Sequence, residues 1–445
     1  MVSHFISKTV PFKFRGIDFT FDLSQGLFSS ADVDKGTRLL LKVFSRILDE
    51  DSAAGKSPPL RILDSGCGAG IIGICAAAAI SPLVKDNNGV LVRCQDRDEL
   101  ARLITAHNAA QNVARYGVSS TLEAHTEPLL AGPLDARWDM ILTNIPAKAG
   151  TPVLEDFVRR SAGLLNPGGR VIMVAVRALA DFFRERITAE AELFGEERGG
   201  DHHVFVYGKT TDQVQSNPPS AVPVNNGTDF VSLHPFYVRA AAACIIEDIP
   251  VRLTTVHGAG GFDNPGGAVL SAAKLVRRLG LRQLSINDDA PLLVHEPGQG
   301  FFPCWLLEFL RSETKLPQPP ILSGRNILAL QASRHNVQYA GTTTIVPATD
   351  LRLGETALRE ATGGRRYGCI AAFPELLPQS SLPKNCDQLA ALWDALPPLL
   401  AGGGIFLAAF GSSDAERFDR KKPAGFTRVG SIKRSGFRAL AYRLN

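Results

Sequence analysis

Long hydrophobic runs are missing from this chain: its longest apolar stretch, Ile71 to Ile80, is about half of a membrane span. The amino terminus, MVSHFISKTVPFKF, lacks the charged region, apolar core and cleavage site of a secretory signal. Paired cysteines are missing too. Cys67, Cys75, Cys94, Cys244, Cys304, Cys369 and Cys386 are dispersed without a Cys-x-x-Cys pair, which fits buried reduced thiols better than a disulfide framework or a zinc site. His202 and His203 are adjacent, and neighbours on a strand point to opposite faces, so shared metal coordination is not expected. These absences predict a cytoplasmic protein with no membrane segment and no metal. A strong charge of one sign is also lacking. A net charge of +4 over 445 residues permits a nucleic-acid partner without requiring one. With 45% apolar and 21% charged residues, disordered and collagen-like readings are excluded for the whole chain.

What is present is enough apolar sequence for two domains. Thr210 to Thr228 is rich in Pro, Asn, Ser and Gly, which is linker composition. The expected division is 1–210, a linker 211–228, and 229–445. The flanking halves echo each other in order. Gln25 to Phe28 followed by a helix-like Gly36 to Ile47 resembles Gly260 to Phe262 followed by Gly267 to Leu279. Leu63 to Gly68 resembles His295 to Gly300, Trp138 to Pro146 resembles Tyr367 to Pro374, and Leu164 to Val171 resembles Leu399 to Phe406. A duplicated unit is expected.

Within the first half, Arg61 to Asp64, Val90 to Gln95, Met140 to Asn144 and Arg170 to Val176 read as buried strands. Ile71 to Ile80, Glu99 to Gln111 and Val153 to Leu165 read as helices between them. Leu193 to Lys209 reads as a closing antiparallel segment. The alternation predicts an α/β, doubly wound, mostly parallel sheet whose ligands bind at the carboxyl ends of the strands. Asp64-Ser65-Gly66-Cys67-Gly68-Ala69-Gly70 would be the glycine turn between the first strand and helix, where the backbone can approach a ligand. Asp96, ending the next strand, can accept both hydroxyl hydrogens of a ribose. Gly66, Gly68, Gly70 and Gly73 also satisfy a dinucleotide pattern. Asp64, however, suits the cationic amino-acid end of S-adenosylmethionine and would repel a pyrophosphate. S-adenosylmethionine is the cofactor expected. Cys67 has no adjacent base and reads as a small loop residue.

Gly26-Leu27-Phe28-Ser29, Asp34-Lys35-Gly36-Thr37-Arg38-Leu39-Leu40-Leu41, the glycine loop, Asp96 and Thr143-Asn144-Ile145-Pro146 follow one another in the order of the "methyltransferase small" domain family. From Val10 to Lys209 the chain resembles the ribosomal RNA guanine-N2 methyltransferases of that family. The resemblance implies two tandem Rossmann-like methyltransferase domains and N-methylation of RNA at guanine N2. It implies cofactor contacts from Phe28, Asp64, Gly66, Gly68, Gly70, Asp96 and Thr126, with His125-Thr126 at the adenine position. Asn144, Ile145 and Pro146 would orient the acceptor nitrogen. The family motif is Asn-Pro-Pro-aromatic, and this chain has Asn-Ile-Pro-Ala, so the stacking ring is gone: either another aromatic such as Phe28 substitutes, or the substrate is not the usual flipped guanine. A protein glutamine or a small molecule fits the same motif. A non-catalytic RNA-binding or assembly protein is the alternative if Asn144 only caps a turn.

The second half is expected to be a degenerate copy. On the alignment of Asp64 with Glu296, Phe302 falls at Gly70, the ribose acid falls near Ala332, and Phe373-Pro374 stands at Asn144. Family members built this way carry the degenerate copy first, whereas here it is second. Arg417 to Arg443 holds nine basic residues against the single acid Asp419, interleaved with Phe418, Phe426, Phe437 and Tyr442. That pattern suits either a nucleic-acid surface or a solvated terminal hairpin with its rings in the core.

Overall fold

A computed structural model describes residues 2–84, 89–116, 120–131, 137–209, 229–287, 289–311, 318–337, 343–378, 382 and 386–445. The linker expected at Thr210 to Thr228 lies outside these residues. Residue contacts divide the chain into two compact units.

The first unit opens with a hairpin, β1 (Lys8–Phe14) and β2 (Ile17–Leu23), paired antiparallel in full register around Arg15-Gly16. Helix α1 (Lys35–Ala53) buries Leu40, Leu41, Val43, Phe44, Ile47 and Leu48, the one-face spacing of an amphipathic helix. Then follow β3 (Arg61–Ser65), α2 (Ile71–Ile80), β4 (Val90–Asp96), α3 (Glu99–Tyr116), β5 (Ser120–Thr126), β6 (Trp138–Asn144), α4 (Thr151–Ser161), β7 (Leu165–Val176), α5 (Ala180–Glu190), β8 (Glu192–Gly199) and β9 (His202–Gly208). The strands form one sheet in the order β5-β4-β3-β6-β7-β9-β8. All pairs are parallel except those made by β9. Every residue of α2 is buried, because helices cover both faces of a parallel sheet. Helix α4 ends at Ser161, four residues before the expected limit, where the chain turns into β7. The closing segment is two strands.

The second unit repeats the plan. After a short helix α6 (Phe230–Leu233) come the hairpin β10 (Val238–Ile246) and β11 (Ile249–Val256), α7 (Gly267–Leu279), β12 (Leu292–His295), α8 (Phe301–Arg311), β13 (Ile321–Gly324) and α9 (Ile327–Asn336). They are followed by β14 (Ile345–Pro347), α10 (Glu355–Glu360), β15 (Tyr367–Ala372), α11 (Gln388–Asp394), α12 (Leu396–Leu399), β16 (Leu400–Gly411), α13 (Ser412–Arg420), β17 (Phe426–Arg434) and β18 (Phe437–Leu444). Its sheet order, β14-β13-β12-β15-β16-β18-β17, is that of the first unit position by position. The fold is therefore two tandem Rossmann-like α/β units, each a mostly parallel doubly wound sheet. No helix among the described residues is long and apolar enough to cross a membrane.

The duplication extends to side chains. In the first unit Asn108 of α3 donates to the carbonyls of Asp22 (3.0 Å) and Ala69 (2.9 Å) and accepts from the Asp22 amide (2.9 Å). In the second, Asn336 of α9 donates to the carbonyls of Thr254 (2.8 Å) and Gln299 (2.9 Å) and accepts from the Thr254 amide (2.7 Å). One asparagine in each unit thus ties the hairpin to the loop before the buried helix.

The basic and aromatic carboxyl-terminal segment is a core element. Phe418, Phe426 and Tyr442 are buried around Trp393, which stacks on Phe418 at 4.2 Å. Arg417 pairs with Asp414, Lys421 with Asp387, Arg428 with Asp419 and Arg434 with Glu247. These rings are not available for base stacking, so the nucleic-acid expectation for them is corrected: Phe418 on α13, Phe426 on β17 and Tyr442 on β18 all turn inward onto Trp393, and the basic side chains just named are held by acids.

Candidate active site

Three strand ends converge at the carboxyl edge of the first sheet. The loop after β3 places Gly66, Gly68 and Gly70 in the left-handed region, at φ 78, 55 and 78°. At Gly70 the turn is also tight, since a Cβ there would lie 2.8 Å from the Thr105 side chain. At Gly68 a Cβ would meet nothing within 4 Å, so the loop faces open space there. The Gly68 amide donates to Asp96 at the end of β4 (3.1 Å), and the other Asp96 oxygen accepts from the Asp98 amide (3.0 Å). Burial and the neighbouring Asp98 raise the Asp96 pKa. Asp96 is only half-buried, and each of its oxygens keeps a lone pair for a ligand hydroxyl.

Asp64 does not face this space. It is fully buried beneath the loop, where one oxygen accepts from the Gly73 amide (2.8 Å) and the other has no partner among the described residues. Burial, reinforced by the Asp96 charge, pushes its carboxyl up to about 7. The expected contact with a cofactor's cationic end is corrected on this point, because α2 seats too closely on β4. A Cβ on Gly73 would lie 2.4 Å from the Cys94 sulfur. Cys67 is likewise buried, and burial raises its thiol well above the usual range, which removes it as a nucleophile.

Thr126, at the end of β5, stands opposite Asp96 and donates to Glu99, which also holds Arg102. Gln95 donates to the carbonyls of Leu129 and Ala131 and so secures the chain beside the glycine loop. Sequence reasoning missed Gln95, Glu99 and Asn108. Buried polar residues of this kind resemble a solvated face until their burial is known. Phe28 lies in the segment before α1 and is 74% exposed.

At the end of β6, the Asn144 amide nitrogen donates to Asp34 (3.0 Å) and to the Thr37 hydroxyl (3.2 Å). The Asp34 oxygen that receives it also caps α1 by accepting from the Gly36 and Thr37 amides. The Asn144 carbonyl oxygen takes no hydrogen bond from the described residues. The Ile145 amide is spent on the Val174 carbonyl and the Pro146 carbonyl on the Ala149 amide, while the Ile145 carbonyl takes no hydrogen bond from the described residues. Asn144 and Ile145, adjacent in the chain, thus each keep a carbonyl oxygen without a donor among the described residues. Pro146 and Ala147 are exposed, and the Ile145 side chain is buried. His203 turns to Glu196 (2.8 Å), while His202 packs by Gly36, so the two histidines do point apart.

The second unit keeps part of this loop and differs at the acidic and acceptor positions. Its loop lies two residues out of the expected alignment. Gly300 occupies the place of Gly70, with a Cβ there 3.1 Å from Ser333 as Gly70 meets Thr105. Phe302 therefore stands at Ile72 in the helix core and not on the turn; it is fully buried against Trp305 and Phe373. Glu296 takes the place of Gly66, at φ 55°. Because His295 pairs with Ser323 as Ser65 pairs with Gln95, the Asp96 position is Gly324 and not Ala332. The Glu296 carboxylate fills that position, accepting from the Arg325 amide (2.8 Å) and lying 2.9 Å from where a Gly324 Cβ would be. Phe373 stands where Asn144 does, as expected, its amide bonded to the His295 carbonyl.

Comparison with known proteins agrees with this geometry. The chain is 32% identical over 168 residues to YbxB of Bacillus subtilis, covering 38% of this chain and 73% of that protein. It is 29% identical over 153 residues to ribosomal RNA small subunit methyltransferase C of Actinobacillus pleuropneumoniae. That match covers 34% of this chain and 40% of the relative, so the chain spans less than half the length of that methyltransferase. The solved 16S rRNA N2 methyltransferase RsmC of T. thermophilus, in complex with AdoMet and guanosine, shares the fold over all of both chains, with a TM-score of 0.60 and 14% identity. Residues 18–192 match the methyltransferase small domain. With the glycine loop, Asp96 and Asn144 on one sheet edge, this chain belongs to the methyltransferase small domain family.

Proposed function

We propose that the chain is an S-adenosylmethionine-dependent N-methyltransferase acting on RNA, with guanine N2 of ribosomal RNA as acceptor. The carbonyl oxygens of Asn144 and Ile145, neither of which takes a hydrogen bond from the described residues, carry this reading. An exocyclic amino group has two N–H bonds, and two acceptors in fixed positions direct its lone pair away from both. Such orientation alone is worth about 7–11 kcal/mol of a bimolecular barrier. The residues suit the cofactor: Gly68 faces open space, and Asp96 on its rim has lone pairs for a ribose. Gly66, Gly68, Gly70 and Asp96 would hold it, with Thr126 and Phe28 at the margins and Asp64 supporting the loop from beneath. S-adenosylmethionine supplies, when bound, an electrophilic methyl group on a sulfonium.

The RNA assignment rests on the named relatives and on the exposed surroundings of Asn144. Lys35, beside Asp34 in the chain, and Lys148, four residues after Asn144, are exposed and suit a phosphate backbone. Exposed Phe28 is the ring available to stack on the target base in place of the aromatic that Ala147 replaces; such stacking contributes about 1–3 kcal/mol. A cytoplasmic location goes with that substrate. The second unit, filled at the cofactor and acceptor positions by Glu296 and Phe373, is without a methyl-donor site.

Calorimetry on the full chain with S-adenosylmethionine tests the cofactor part. One site per chain is expected, abolished by Asp96→Ala; absence of binding would sink the enzyme reading. Tritium transfer to an unmodified small-subunit ribosomal RNA transcript, lost in Asn144→Ala, tests the acceptor. Label entering protein and not RNA would favour the glutamine alternative.

A further inference from the structure

The two acceptors that hold Asn144 do more than cap a helix. A primary amide can be turned over by rotation about its last bond, exchanging its oxygen and nitrogen with little change of shape. Which way Asn144 points decides whether it accepts a hydrogen from the substrate or donates one to it. Asp34 presents a carboxylate, which only accepts, at 3.0 Å from the amide nitrogen, and the Thr37 oxygen lies at 3.2 Å. Turning the amide over would set its oxygen against the carboxylate and leave two hydrogens pointing at the acceptor site.

We propose that Asp34 and Thr37 are positioning residues that take both Asn144 amide hydrogens and so leave only its carbonyl oxygen facing the acceptor. This rests on the acceptor role proposed for Asn144. The device sets specificity by chemical class: the group presented there must carry N–H, so a carbonyl oxygen or an unprotonated ring nitrogen is refused. It also gives a physical reason for the whole Asp34-Lys35-Gly36-Thr37 segment. Asp34 and Thr37 supply the acceptors. Gly36 lies where a Cβ would be 2.8 Å from the Asp34 carboxylate and 2.9 Å from the His202 ring, so a side chain there would displace the carboxylate.

Asp34→Ser separates the two roles of the carboxylate, because serine caps a helix about as well as aspartate but is one atom shorter and cannot reach Asn144. Asp34→Asn should restore the lock, since its amide oxygen can replace the lost acceptor. Hydrogen exchange of the Asn144 side-chain amide, read by NMR on the full chain labelled with 15N-asparagine and assigned through Asn144→Ala, needs no substrate. In Asp34→Ser these protons should exchange at least about tenfold faster than in wild type, with an unchanged melting temperature. On the ribosomal RNA transcript, kcat should fall about 10- to 100-fold while KM and S-adenosylmethionine affinity hold. Asp34→Asn should recover both readouts. Equal protection in Asp34→Ser, or faster exchange with kcat unchanged, would overturn the proposal. If wild type transfers no label to the RNA, the RNA reading fails while the exchange comparison still decides the lock.

Discussion

Asp64 is where burial and charge conflict most directly. One oxygen is bonded to the Gly73 amide and the other has no partner among the described residues, and the folded chain raises its pKa to about 7. An unfolded aspartate titrates near 3.9, so the folded state binds this proton more tightly. The stabilisation is complete below the unfolded value and is lost as pH rises through the folded one. The cofactor-free chain should therefore lose melting temperature between pH 4 and pH 8. Asp64→Asn, whose amide oxygen can still accept from Gly73, should lose much less, the gap reaching a few kcal/mol at neutral pH. Parallel melting curves for the two proteins would refute the conflict. The acid itself was legible in the sequence, as were Asp96 and Asn144. Its burial was not, because that depends on how closely Gly73 lets α2 approach Cys94.

At the scale of elements, the strands and helices of the first unit followed from alternating apolar runs, and the glycine turn from its spacing. The opening hairpin escaped, although Val10, Phe12 and Phe14 pair with Phe21, Phe19 and Ile17 across Arg15-Gly16 with the period of a strand. Its anchorage carries no local signal, since Asn108 and Asn112 look like the polar side of α3. In the fold they bond the backbone of β2 at Asp22 and Thr20. Asn108→Ala should cost about 2–4 kcal/mol, because it leaves a buried N–H and buried carbonyls unpaired. The Asp22 amide should lose exchange protection first, ahead of the central strands. If that amide stays as protected as those of β3, the asparagine is not what holds the hairpin.

For the whole molecule, duplication was legible because four separated segments recur in order, but their alignment was set two residues out at the loop. Identity favoured matching Asp64 to Glu296; the backbone instead matches Gly66 to Glu296 and Gly70 to Gly300, since helix start and left-handed φ outrank side-chain likeness. The corrected alignment shows how the second unit is closed. A carboxylate still sits where Asp96 would, but it arrives from the loop and spends itself on the Arg325 amide. This makes the change an evolutionary ratchet. Restoring the acid alone, as in Gly324→Asp, sets two carboxylates against each other in a half-buried space, and like charges there repel. Restoring the glycine alone, as in Glu296→Gly, leaves no acid at all. Gly324→Asp should lower the melting temperature of the chain, and adding Glu296→Gly should recover it; additive losses would dismiss the coupling. Neither single step leads back towards a working site, so descent from an active duplicate would run one way.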